Sequence, residues 1–278
     1  MVGSPCINIC EIQNNMCIGC YRDLATISSW STMNDSEKNA WWDKRNICYA
    51  GIGSRDTPEE LRGDLTNFSY HLENMGYCLR SGAAKGADQA FEKNIKRKEI
   101  FVAELKPAKH KPQKTKGLNN ISPPLVKKAF ELAQQHHGGW HNLSEYSKKL
   151  MARNCMQVLG ETLDRPVDFV LCWAEKVYYD DHGFIENVSG GTGMAVRLAY
   201  SLGIPVIHTH LPQFSSFYDS IQQEDFKRLH QLCQQLTRHE LLQTFLQENA
   251  CETPPPIKHH MQASDSGNGV KKLRWKRG

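Results

Sequence analysis

The chain has 278 residues, 40% of them hydrophobic and 23% charged, enough for one full α/β core and a small appendage. No apolar run reaches the roughly eighteen residues of a membrane helix, and the segment from Met1 to Cys20 lacks the basic start and unbroken apolar stretch of a secretory signal. A soluble, cytoplasmic protein without a membrane partner is expected. The formal charge is +4, but Lys271, Lys272, Arg274, Lys276 and Arg277 alone carry five positive charges. The remainder is one unit negative, so the basic character belongs to the tail.

Residues 1–46 are too short to form a core without a staple. Cys6-x-x-x-Cys10 and Cys17-x-x-Cys20 supply one, since four thiolates at this spacing can close a tetrahedral metal site. Zinc and an iron–sulfur cluster both accept four cysteines, and structural zinc is the expectation adopted. The other six of the ten cysteines are scattered through the chain, as in Val170-Leu171-Cys172, which suits core thiols better than a secreted disulfide framework. Ser4-Pro5-Cys6, the four cysteines, Tyr21-Arg22 and Ile27-x-x-Trp30 together resemble a family of short bacterial proteins of unknown function for which iron–sulfur binding is predicted.

From residue 47 the pattern changes to strands alternating with helices. Ile47 to Gly51 reads as a strand, followed by Gly53-Ser54-Arg55 and a helix to about Asn74, with Thr57 as cap, Pro58 at the first helical position and Glu60 completing a capping box. A second strand at Tyr77 to Arg80 runs into Ser81-Gly82-Ala83-Ala84-Lys85-Gly86-Ala87-Asp88, then a helix to about Arg97 and a third strand at Ile100 to Ala103. Lys106 to Lys116, with five lysines, two prolines and no acid, reads as an exposed loop and not a sheet element. Helices are expected at about 124–136 and 144–159, and a strand covered on both faces at Val167 to Trp173. The loop Ser189-Gly190-Gly191-Thr192-Gly193, a helix from Met194 to Leu202 and a strand from Ile204 to Ile207 follow. The expected fold is thus α/β, a Rossmann-like doubly wound parallel sheet over 47–212, with a metal module at 1–46, a helical extension at 213–250 and a disordered basic tail at 251–278.

Three glycine-rich turns each stand where the chain passes from strand to helix. A phosphate needs a backbone that approaches without a Cβ and amides at a helix N-terminus to meet its charge. Gly51, Gly53, Ser54 and Arg55 form the first candidate group, Ser81, Gly82, Gly86 and Asp88 the second, and Gly190, Gly191, Thr192 and Gly193 the third. In a parallel sheet such loops share the carboxyl edge, where ligands bind. None is a Walker loop or a full Gly-x-Gly-x-x-Gly fingerprint, so no redox nucleotide cofactor is expected. Arg153 could pair with a phosphate, Asn154 could bond a base or ribose, and Trp173 could stack on a base. A solvated helix face for Arg153 and a core position for Trp173 are the competing readings. Asp88 reads more readily as a helix cap than as a ribose ligand, and the histidines around Trp140 as a loop cluster.

Gly-Ser-Arg after the first strand, Ser-Gly-x-x-x-Gly-x-Asp after the second and Gly-Gly-Thr-Gly after a later strand resemble the superfamily joining DNA-processing A proteins and Lonely Guy phosphoribohydrolases (SLOG), over about 47–210. The resemblance implies a Rossmann-like fold that binds nucleotides, nucleotide derivatives or single-stranded DNA. Lonely Guy enzymes carry Gly-Gly-x-Gly-Thr-x-x-Glu, whose acid helps to cleave an N-glycosidic bond; here Arg197 stands at that carboxylate position. The departure favours a binding protein (a sensor, sequestering protein or DNA-processing accessory) over a nucleoside-monophosphate N-glycosidase working through Asp88 or Glu186. Single-stranded nucleic acid held by the lysine loop and the basic tail around Trp275 is a third reading. A homo-oligomer is left open.

Overall fold

The structure, a computed structural model, describes residues 4, 6, 12–13, 16–17, 20, 22–44, 47–106 and 115–249. Cys10, residues 107–114 of the lysine-rich segment and the basic tail lie outside them.

In the N-terminal module β1 (Ile12–Gln13) and β2 (Met16–Cys17) form an antiparallel pair. Two helices follow, α1 (Leu24–Ser29) and α2 (Asp35–Lys44). Asp23 caps α1, accepting from the Thr26 amide at 2.6 Å. At the start of α2, Asn34 and Glu37 exchange reciprocal side-chain-to-amide bonds of 2.9 and 2.8 Å, a capping box. The buried Trp30 lies edge-on to Trp41 at 5.3 Å and beneath the Arg22 guanidinium at 4.9 Å.

The larger part is α/β and Rossmann-like, as its pattern predicts. In chain order it comprises β3 (Cys48–Gly53), α3 (Glu59–Asn74), β4 (Cys78–Ser81), α4 (Ala87–Glu92), β5 (Lys98–Val102) and β6 (Thr115–Gly117). Then come α5 (Pro123–Gln135), α6 (Glu145–Leu159), β7 (Phe169–Trp173), a hairpin of β8 (Val177–Tyr179) and β9 (Ile185–Val188), α7 (Thr192–Ser201) and β10 (Val206–Ile207). Six parallel strands pair in the order β10-β7-β3-β4-β5-β6. Helices α3 and α4 pack on one face and α5 to α7 on the other. The chain leaves β3 toward one edge and β7 toward the other, so the topological switch point lies between these neighbours. Three further helices, α8 (Phe214–Gln222), α9 (Phe226–Leu236) and α10 (His239–Glu248), form the extension, with α8 against α3. Among the described residues no helix is long and apolar enough to cross a membrane.

Several boundaries differ from the sequence expectations. Helix α3 starts at Glu59 without a side-chain cap, because the Thr57 hydroxyl instead donates to the Ser54 carbonyl at 2.7 Å. Helix α4 stops at Glu92, since Lys93 is extended and Asn94 turns left-handed at φ 64°. The segment read as loop from Lys106 to Lys116 ends in edge strand β6, whose Lys116 points to solvent while Thr115 and Gly117 are buried. The β8–β9 hairpin interrupts what reads as plain loop.

Aromatic packing fixes the core between the central strands. Phe169 on β7 stacks on Tyr49 of β3 at 5.7 Å and meets Tyr77 edge-on at 5.4 Å, all three rings being buried. Phe169→Ala leaves a cavity at this junction, and a loss of about 3–5 kcal/mol is expected in chemical denaturation. A loss under 1 kcal/mol would mean that the junction can collapse around the gap.

Candidate functional site: the crevice at the sheet switch point

The carboxyl ends of β3, β4 and β7 meet at the switch point, and α6 supplies the side chains that join them. The Arg153 guanidinium lies directly on Gly82, so that a Cβ on Gly82 would coincide with it. From there its Nη1 faces the Asp88 carboxylate at 3.6 Å. Asp88 accepts from the Gly53 amide at 3.2 Å and the Ala84 amide at 3.4 Å, which ties the loop after β3 to the loop after β4. Beside Arg153, the Asn154 amide donates to the Gly191 carbonyl at 3.3 Å, which brings in the turn before α7. All three glycine-rich turns therefore converge on two consecutive residues of one helix.

The loops hold one another by close backbone approach. A Cβ on Gly53 would stand 2.6 Å from both Ala87 Cβ and the Trp173 carbonyl oxygen, and the Ser54 amide donates to that carbonyl at 2.9 Å. Gly86, at φ 82°, packs against the Ser54 and Arg55 carbonyls. Arg55 is exposed, Ser54 and Trp173 are half-buried at the mouth, and Thr192 is buried in the first turn of α7. Gly190, at φ 74°, and Gly191 are exposed. Gly193 is needed because a Cβ there would collide with the Val188 carbonyl oxygen and stand 2.7 Å from Asn187 Oδ1. Gly51 is placed elsewhere: it lies inside β3 against Leu79 and Phe91, in the core.

Arg153 and Trp173 depart from their bland alternatives, for Arg153 is only 6% exposed and Trp173 is not fully buried. Asp88 is not the N-cap of α4, a place that Gly86 takes; it is buried, its oxygens accept from two amides, and the Arg153 guanidinium faces it without closing a hydrogen bond. Burial pushes its carboxyl up, outweighing Arg153 and both amides. Two further residues join the cluster. Glu92 accepts from the Ala83 amide at 2.8 Å, and its carboxyl is likewise pushed up by burial. The Gln157 side-chain nitrogen lies beside Arg153 at Gly82. Arg153 Nε and Nη1, Gln157 Nε2 and the Ser81 hydroxyl, which lies against Glu92, are buried without a well-formed hydrogen bond. The nitrogens are all donors, so the unfilled capacity of the cluster is for an acceptor.

Arg197 serves structure. Its Nε donates to the His136 carbonyl and its Nη1 to Asn187 Oδ1, both at 2.6 Å, which fastens α7 to α5 and to the hairpin. His136 also meets Ser201 Oγ at 2.9 Å, and His137 Nδ1 accepts from the Gly139 amide at 3.2 Å. Glu186 sits on the hairpin near Tyr200, where it adds to the rise of a phenol already pushed up by its bond to Asp180. In the N-terminal module Cys17 and Cys20 are buried, and Arg22 Nε donates to Cys20 Sγ at 3.3 Å. Among the described residues no group of three or more His, Cys, Asp or Glu side chains could hold a metal; Cys10 lies outside them.

Fold and crevice define an α/β, Rossmann-like protein with a polar cluster at its switch point. Residues 4–46 match a family described as a protein of unknown function (DUF1289), which covers the cysteine-rich module. Comparison with curated proteins and with solved structures gave no match.

His208, just after β10, buttresses the edge of this crevice. It is fully buried; its Nε2 lies 2.9 Å from the Ala174 carbonyl oxygen and 3.0 Å from the Ala174 amide, and its Nδ1 accepts from the His210 amide at 3.1 Å. A second proton on Nδ1 would confront that amide, and burial pushes the imidazole down to about 4. Unfolded, the ring titrates near ~6.5. The stability held by the neutral ring is therefore complete above pH ~6.5 and is lost as pH falls toward about 4, because the unfolded chain takes up the proton first. Melting temperatures measured across this window should fall, and His208→Gln should flatten that part of the profile. An unchanged slope in the variant would assign the acid lability to other groups.

Proposed function

We propose that the α/β domain binds a nucleotide or nucleotide-derived phosphate in the switch-point crevice, without turning it over, as a sensor, sequestering protein or DNA-processing accessory. The observation that carries this reading is the buried Arg153, whose Nε and Nη1 lack hydrogen-bond partners. An unmet buried donor costs about 1–3 kcal/mol, and a phosphate oxygen beside Gly82 would relieve that cost. The N-terminus of α7, reached through Asn154 and Gly191, adds a positive dipole end on the same side. The resemblance of the three glycine-rich motifs to the SLOG superfamily supports the same ligand class. Arg197 lends no acid or base, being occupied with His136 and Asn187.

Calorimetry with a panel of nucleoside monophosphates tests this. Binding by at least one is expected, and Arg153→Met should weaken it about 10- to 100-fold, the worth of a charge-assisted bond. Gly191→Leu should also weaken it while leaving the fold intact, because Gly191 has an ordinary φ of −65° and a Cβ there meets only Met151 at 3.5 Å. Free base accumulating steadily from a monophosphate, and vanishing in Asp88→Asn, would replace the binding reading with an N-glycosidase. Binding to single-stranded DNA alone, insensitive to Gly191→Leu, would move the function to the basic segments.

For residues 4–46 we propose a structural metal held by Cys6, Cys10, Cys17 and Cys20, with zinc preferred. The short β1–β2 hairpin brings Cys17 into the interior near Cys20, and the Arg22 N–H on Cys20 Sγ suits a thiolate in a negatively charged four-sulfur set. Elemental analysis should give about one zinc per chain, lost in the quadruple Cys→Ser variant. A brown, iron-containing preparation would overturn zinc, and metal retained by the variant would overturn the module.

A further inference from the structure

The amino edge of the sheet, opposite the crevice, carries two thiols that the phosphate site does not use. Cys48 opens β3 and Cys78 opens β4, and the parallel register makes them direct partners. Partners on neighbouring strands stand about 4.8 Å apart with side chains on one face, within the ~4.4–6.8 Å Cα span that a disulfide bridges. The two thiols are hydrogen-bonded to each other. Cys48 is buried and Cys78 half-buried, so Cys78 is the more exposed of the two. Arg80, two residues along β4 on the same face, sets a guanidinium near both sulfurs, and Glu99 holds it there at 2.7 Å.

We propose that Cys48 and Cys78 form a reversible disulfide across β3 and β4 when the protein meets a hydroperoxide. The hydrogen bond from Cys48, with help from the Arg80 and Arg97 charges, holds the Cys78 thiol below its usual range against burial and Glu99, which makes it the attacking sulfur. The Cys78 thiolate attacks one peroxide oxygen; an S–O bond forms, the O–O bond breaks, and the alkoxide or hydroxide takes the proton that the thiol released. Cys48 then attacks the sulfenic sulfur; an S–S bond forms, the S–O bond breaks, and water leaves with the Cys48 proton. The peroxide gains the two electrons that the sulfurs lose. Cys48, which gives that hydrogen bond and is buried, has its own thiol pushed up and so follows as the second sulfur; Cys172 likewise contrasts with Cys78, since burial alone pushes its thiol up to about 12.

The test is a peptide map of the full, reduced chain after hydrogen peroxide, acid quench, alkylation under denaturing conditions and trypsin. Cys48 falls in the peptide 46–55 and Cys78 in 63–80. A linked pair is expected, lighter by two hydrogens than the separate peptides, released by dithiothreitol and absent from Cys78→Ser. The Cys48→Ser chain should instead accumulate a dione-reactive sulfenic acid on Cys78 that the unaltered chain does not. Both peptides recovered alkylated, at a peroxide dose that oxidises the N-terminal cysteines, would overturn the proposal. Cys78 passing to sulfinic acid with no linked pair would overturn it as well.

Discussion

The carboxyl edge of the sheet depends on one guanidinium lying where a side chain would otherwise be. Arg153 enters from α6, occupies the space that Gly82 leaves open, and faces Asp88 across 3.6 Å. Asp88 in turn holds the Gly53 and Ala84 amides. Removing the charge at either end would leave the other buried and uncompensated, which costs far more than the pair itself contributes. The absence of a Cβ at Gly82 and the carboxylate of Asp88 are thus two halves of one constraint, fixed from a helix more than sixty residues downstream.

The same constraint decides what kind of site the edge can be. Asp88 is buried, its carboxyl is pushed up, and its oxygens are occupied by groups that hold the loops in place. A carboxylate so committed is poorly placed to move a proton without releasing both loops. Arg153 is the opposite case: its loose ion pair leaves donors unmet in a buried setting. The cluster offers donors more readily than it offers a mobile acid or base, which is why an anion held without chemistry is the reading proposed.

Much of this was legible in the sequence because parallel, doubly covered strands leave plain apolar runs, as at Val170-Leu171-Cys172, and because the glycines mark each strand-to-helix turn. Glu92 and Gln157 were not singled out, although each carries a readable signal. Glu92 lies four residues after Asp88 and Gln157 four after Arg153, so each shares a helix face with a residue of the site. The β8–β9 hairpin and edge strand β6 escaped because three- and four-residue strands are too short to show a period. The early end of α4 turns on Asn94 adopting a left-handed φ, a choice that helical spacing does not reveal. Thr57 has the chemistry of a cap and spends it on Ser54, because the tight turn after β3 leaves that carbonyl within reach first.

Arg197 ties the helix that borders the crevice to its neighbours. In α7 it stands one turn past Gly193, whose missing Cβ lets the helix close on the hairpin at Asn187. The guanidinium then bonds that same Asn187 and the carbonyl at the end of α5, so three elements are joined at this one side chain. Burial of that guanidinium, which pulls its proton affinity down, is tolerated because both bonds run to oxygen acceptors. Replacing it by a carboxylate would set negative charge against the His136 carbonyl and Asn187 Oδ1 and so lose the join. The helix whose N-terminus borders the crevice is therefore held in place, through Arg197, by the end of α5 and the hairpin.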